Sequence, residues 1–229
     1  MAIVFDSSDG DGADYLTSTS ASTVTGPPLT LACWVNPSTL TGHDACIAVG
    51  SSGSNEAYAL NLRATYKNVT MEVRDSSGGS WANSAGAYRA DVWQHVAGVC
   101  TSSVSRQAFL NGAGGTVSTT SRTPSVLIDR IRIGEWSSTW SRPFDGMIAE
   151  CAIWNVALSD GDIQAMASGL TPTLIRPDSL VSYYPLVRNY IDEFGNNEVT
   201  PNNTVVWANE HPIAVEDAPS THRSAWGGI

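Results

Sequence analysis

The sequence predicts an all-β sandwich carrying one short helix near 159–168, and three observations predict it. Apolar side chains recur at every second position through most of the chain, the rhythm of strands, while a helical period is hard to find. Serine, threonine and glycine crowd the sequence and lysine is scarce, a composition that disfavours solvated helices and suits strands joined by tight turns. The length, 229 residues, matches the about 200–250 residues that a sandwich fills as one unit.

Each element follows from its residues. In Leu29-Thr30-Leu31-Ala32-Cys33-Trp34-Val35, residues 31, 33 and 35 share one face and 30, 32 and 34 the other, and both faces are apolar enough to be covered. Similar runs lie at 45–49, 56–63, 69–75, 92–100, 104–110, 126–133, 147–154 and 180–186, separated by Gly, Ser, Asn, Asp or Pro clusters. Asn111-Gly112, after Ala108-Phe109-Leu110, supplies the two positive-φ residues of a tight hairpin turn. Ser159, three residues before Asp162, caps a helix whose apolar face is Ile163, Met166 and Ala167, and Gly169 stops it. So short a helix does not stand alone in water and is expected to lie on the sandwich. No linker separates a second domain. The sandwich is therefore expected to span 1–213, including the strands after 180, and 214–229, where alternation is lost, reads as an extended arm.

Charge narrows the function. Twelve basic against 22 acidic residues give a net charge of −10, with Lys67 the single lysine, so a phosphate backbone is repelled and nucleic acid is not expected as a partner. No apolar stretch approaches the about 18 residues of a spanning helix, so no membrane insertion is expected. The opening Met-Ala-Ile-Val-Phe-Asp turns polar at once, which predicts synthesis in the cytoplasm without a signal peptide. Cys33, Cys46, Cys100 and Cys151 sit in apolar runs without metal or redox spacing and are expected as buried free thiols.

Six ordered blocks then resemble the laminin G-like jelly-roll domains of the concanavalin A-like lectin and pentraxin group. They are Val4-Phe5-Asp6 with Asp11, Asp14 and Tyr15; the run 29–37; Trp93-Gln94-His95-Val96-Ala97-Gly98-Val99; 108–112; Ile131-Arg132-Ile133-Gly134; and 144–159, beginning Phe144-Asp145-Gly146. The resemblance spans about residues 3–168. It implies two stacked antiparallel sheets, one concave, with rim loops available for calcium and sugars. Fold does not fix function, since this group includes glycan binders, adhesive modules and glycoside hydrolases.

Hydrolysis of a glycosidic bond needs two carboxylates, about 5–5.5 Å or about 6.5–9.5 Å apart. The nearest pairs fail: Asp145 and Glu150 are odd-spaced and fall on opposite strand faces, and Asp160 with Asp162 fits a helix cap. No nucleophile pattern appears, and no enzyme is expected. Calcium is the candidate cofactor, because Asp9, Asp11 and Asp14 gather on a glycine-bent loop with hard oxygen ligands, and the resemblance brings Asp145 within reach. The alternative is a solvated acidic turn. Of eight tryptophans, Trp34, Trp93 and Trp154 sit in apolar strands and read as core. Trp81, Trp136 and Trp140 sit in polar loops and Trp226 in the arm, which makes these four the candidates for contact with a sugar or a protein neighbour.

An adhesive domain type joined to an N-terminus without an export signal predicts a non-enzymatic bacteriophage virion protein, a capsid decoration, fibre or tail component. Its expected partners are other virion subunits, as a homo-oligomer, and host-surface polysaccharide. The alternatives are a stand-alone carbohydrate-binding lectin and, behind it, a glycan hydrolase.

Overall fold

The computed structural model describes residues 2–6, 13–18, 24–137, 139–203 and 205–213. Among them fifteen strands and one α-helix run in the order β1 (Ala2–Phe5), β2 (Tyr15–Ser18), β3 (Leu29–Pro37), β4 (His43–Gly50), β5 (Ala57–Arg63), β6 (Asn68–Asp75), β7 (Gly78–Asn83), β8 (Gln94–Ser102), β9 (Ser105–Leu110), β10 (Ala113–Gly114), β11 (Arg130–Ile133), β12 (Gly146–Trp154), α1 (Asp160–Ala167), β13 (Leu180–Tyr184), β14 (Val199–Asn202) and β15 (Val206–Ala208). They form two antiparallel sheets. The eight-stranded sheet has the order β10-β9-β8-β3-β12-β1-β15, with β13 also paired to β12; the seven-stranded sheet has the order β14-β2-β11-β4-β5-β6-β7.

Period-two alternation explains the stacking. Leu31, Cys33 and Val35 of β3 and Val96 of β8 point inward against Leu60 and Leu62 of β5, Met71 of β6 and Ile131 and Ile133 of β11, and all are buried in one core. The sheets approach closely where Gly98 faces Met71: a Cβ there would stand 2.4 Å from the Met71 sulfur. All four cysteines are free and buried. Burial pushes the Cys100 thiol up to about 12 and those of Cys33 and Cys46 well above their ordinary value.

The outer face of the eight-stranded sheet is covered as well. Small residues Ala32, Ala97 and Ala152 leave room there for Trp154 and Phe109, and Ile163 and Met166 of α1 close over them. Ser159 caps α1 through a reciprocal capping box with Asp162. Asn111 (φ 49°) and Gly112 (φ 81°) make the hairpin between β9 and β10 in the positive-φ conformation that their sequence implies.

Three expectations change. The 126–133 run is a strand only from Arg130, because Val126 and Leu127 face solvent with no sheet over them. The 180–186 run pairs only to Tyr184, since Pro185 has no N–H to continue the ladder. Trp154 is fully buried, but Trp34 and Trp93 are half-buried. Among the described residues no helix is long and apolar enough to cross a membrane.

Candidate functional site

The outer face of the seven-stranded sheet, which no helix covers among the described residues, is where Trp81, Trp136 and Trp140 fall. Its floor is made of small side chains: Ala48 lies opposite Ala59 and Gly50 opposite Ala57. Trp136 fills this trough against Ala45, Ala48, Ala57 and Ala59 and is fully buried, with its indole N–H donated to the Asn55 carbonyl oxygen at 3.0 Å. The loop that carries it is tied by the Glu135 carboxylate, which accepts the Trp136 N–H at 2.7 Å, the Ser141 hydroxyl at 2.8 Å and the Arg142 N–H. Trp136 is thus corrected from contact residue to floor: four alanines, each unremarkable in sequence, make a socket of its size.

Trp140 is half-buried beside it, with ring centres 5.8 Å apart. The guanidinium carbons of Arg74 and Arg142 each stand 3.9 Å from its centre, so its π-system engages cations of its own chain. Glu72 neutralises both, at 2.9 Å from Arg142 and 3.7 Å from Arg74.

Trp81 is different. It sits on edge strand β7, not in a loop, opposite Glu72 in register, and is 36% exposed, the most open of the described tryptophans. Arg63 stacks on it, the guanidinium carbon 3.8 Å from the ring centre, with the exposed Tyr66 ring 5.8 Å from the same carbon. Alongside, between edge strands β7 and β10, runs a cleft of about 550 Å³ lined by Trp81, Asn83, Ser84, Gly115, Thr116 and Ser118. Gly115 permits the close approach of the two edges, because a Cβ there would meet the Asn83 carbonyl oxygen at 1.8 Å. One aromatic face, an amide and several hydroxyls are what a site needs to hold a sugar ring by its apolar side and its oxygens.

The acids divide. Asp14 is buried and its Oδ2 accepts the Asp6 N–H at 3.1 Å. Asp145 instead faces Asp44, and both line a cleft of about 440 Å³ with His43, Trp140 and Arg142. Burial, and then the charge of Asp145, push the Asp44 carboxyl up to about 7. Burial, and then Arg142 and Arg63, push His43 down to about 4. Sequence reasoning passes over Asp44, although its place at the head of β4, just after the Thr41-Gly42 turn, puts it at the rim. Among the described residues no three His, Cys, Asp or Glu side chains gather as a metal requires. Asp9, Asp11, Trp226 and the arm 214–229 lie outside the described residues.

Another buried acid is Glu150, in a positive-φ conformation (55°) where the neighbour of β12 changes from β1 to β13. It accepts the Tyr183 hydroxyl at 2.7 Å and lies 3.3 Å from His211, a pairing that no sequence spacing announces.

Residues 9–164 match the family described as Laminin_G_3, the concanavalin A-like lectin/glucanases superfamily. The chain belongs to this superfamily. Among curated proteins none matches it in sequence. Solved structures share the superfamily sandwich at low identity. A native heptameric SAP-like pentraxin from Limulus polyphemus superposes with a TM-score of 0.64 at 11% identity, over 90% of this chain and 93% of that one. A Bacteroides ovatus protein described as carbohydrate-binding gives 0.65 at 18%, over 94% of this chain but 61% of its own. The enzymatically active domain of tailspike protein 2 from bacteriophage CBA120 gives 0.53 at 15%, over 75% of this chain and 28% of its own. At these identities the likeness is one of fold.

Proposed function

We propose that this superfamily member is a non-catalytic glycan-recognition module carried on a virus particle, and that it holds its ligand at Trp81 and the cleft beside it. The observation that carries the glycan reading is the open Trp81 ring next to Asn83, Ser84, Thr116 and Ser118. Structures of this fold solved with arabinotriose and with α2,3-sialyllactose bound give it further support. The virion setting has narrower support, the occurrence of the same fold within a bacteriophage tailspike. Weak single contacts suffice on a particle, because many copies raise avidity by about 10²–10⁴-fold. A glycan array with wild type and Trp81→Ala tests the first part: retention of one or more glycans, lost in the variant, is expected, and binding indifferent to Trp81 overturns it. Mass spectrometry of purified source particles tests the second, and absence of the chain overturns it.

Calcium belongs to this proposal as the cation of the carboxylates that the sequence offers for it, Asp9, Asp11, Asp14 and Asp145, the last of which lines a rim cleft with Asp44. A second reading, a glycan hydrolase, is favoured by the pair of Asp44 and Asp145, since a carboxyl raised to about 7 beside another carboxylate in a cleft is the arrangement of a general acid and its partner. Release of reducing ends from polysaccharides, abolished by Asp44→Asn, would replace the non-catalytic reading.

A further inference from the structure

The ligand class follows from the charges around Trp81, and it rests on the glycan reading just given. The chain is strongly acidic overall, and most arginines of the seven-stranded sheet face are answered by a carboxylate: Arg74 and Arg142 by Glu72, Arg130 by Asp129. Arg63 is not. Among the described residues no carboxylate lies within 4 Å of it, and its solvent-shielded Nη1 has no hydrogen-bond acceptor. Lys67, exposed in the turn between β5 and β6, likewise has no carboxylate partner, and exposed Arg89 follows Tyr88, whose N–H is donated to the Lys67 carbonyl oxygen at 2.8 Å. Three unanswered cations therefore come from the chain segments around Tyr66, at one end of a face that also presents Trp81.

The stacking geometry says how the charge can be used. The Arg63 guanidinium carbon stands over the Trp81 ring, 3.8 Å from its centre. A guanidinium so placed can still offer the N–H groups of its unshielded edge, and a pair of them matches the two oxygens of a carboxylate. We propose that Arg63, braced by Trp81 and assisted by Lys67, selects glycans that carry a carboxylate on the sugar ring. Trp81 and Tyr66 supply apolar surface to the ring itself, and Arg63 reads its acid group.

The test compares polygalacturonate and alginate oligosaccharides with their methyl esters, which keep the ring and remove the charge, by calorimetry on the full chain at low and high salt. At least ten-fold tighter binding of one acid over its ester is expected, equivalent to about 1.4 kcal/mol, and it shrinks as salt screens the charges. Arg63→Gln abolishes that preference. Arg63→Lys, which keeps the charge without the planar fork, retains part of it, and unchanged melting temperatures show that both variants fold. Trp81→Ala abolishes binding of acid and ester alike. Equal binding of acid and ester, retention of neutral glycans alone, or an acid preference indifferent to Arg63 overturns the inference and leaves the glycan reading standing. Binding of no glycan, acidic or neutral, overturns both.

Discussion

Glu72 and Arg142 form an ion pair of 2.9 Å with 1% and 6% of their side chains accessible, on a sheet face otherwise floored with alanine and tryptophan. Such a pair resists removal of one partner far more than of both, because the survivor keeps its desolvation penalty without its attraction. Glu72→Gln leaves two guanidinia, those of Arg142 and Arg74, without their carboxylate. We expect it to destabilise the fold by about 3 kcal/mol, read as a lower urea midpoint at unchanged slope. The double variant Glu72→Gln/Arg142→Met should lose less than the sum of the single losses.

Trp136 and Trp81 should separate stability from recognition. Trp136→Ala empties a socket that cannot collapse around four alanines and should cost roughly 3–5 kcal/mol. Trp81→Ala removes a partly exposed ring and its cation–π contact with Arg63, worth roughly 0.5–1 kcal/mol, yet should abolish glycan binding. Thermal melts and binding measured on the same two samples check both halves.

The contrast between these two rings marks what the sequence can disclose. Strand rhythm and the turn pair Asn111-Gly112 are local, so the sandwich, its hairpin and the Ser159 cap of α1 can be read directly. Which tryptophan is open is not local. Trp136 and Trp140 share a polar segment in sequence, but the burial of Trp136 is decided by Ala45, Ala48, Ala57 and Ala59, about 80–90 residues away in sequence. The pairing of Asp145 with Asp44, and of Glu150 with His211, likewise exists only once distant strands are in register. Trp81 reads as a loop residue because Gly78-Gly79-Ser80 has the composition of a turn; pairing with β6 makes it part of an edge strand.

The thiols offer a check on packing alone. Only the thiolate reacts with a disulfide reagent, and burial holds Cys33, Cys46 and Cys100 in the protonated form. Native protein should leave all four cysteines unlabelled over hours, and denaturant should release all four together in one cooperative step. Labelling of any one in the native state would contradict the closed core in which they lie.

Asp44 predicts a pH dependence with a definite sign. Its folded carboxyl titrates at about 7, above the roughly 3.9 of an unfolded aspartate, so between these values the folded state holds a proton that the unfolded state has released. That contribution to stability is complete below about pH 4 and is lost as the pH rises through about 7, at up to about 1.4 kcal/mol for each unit of displacement. His95 acts in the opposite sense, because burial lowers it to about 3, and stability falls as the pH drops below its unfolded value of roughly 6.5. The histidine is common to wild type and Asp44→Asn and cancels in their difference. That difference should therefore move in favour of the variant from about pH 4 to about pH 7 and stay flat on either side. Saturating calcium, if it binds between Asp145 and Asp44, should hold both carboxylates ionised and flatten the wild-type profile, adding about 2.7 kcal/mol when present at about 100 times its dissociation constant. A wild-type profile and melting temperature identical in calcium and in chelator would remove the cation from this rim and leave Asp44 a carboxyl protonated by its surroundings.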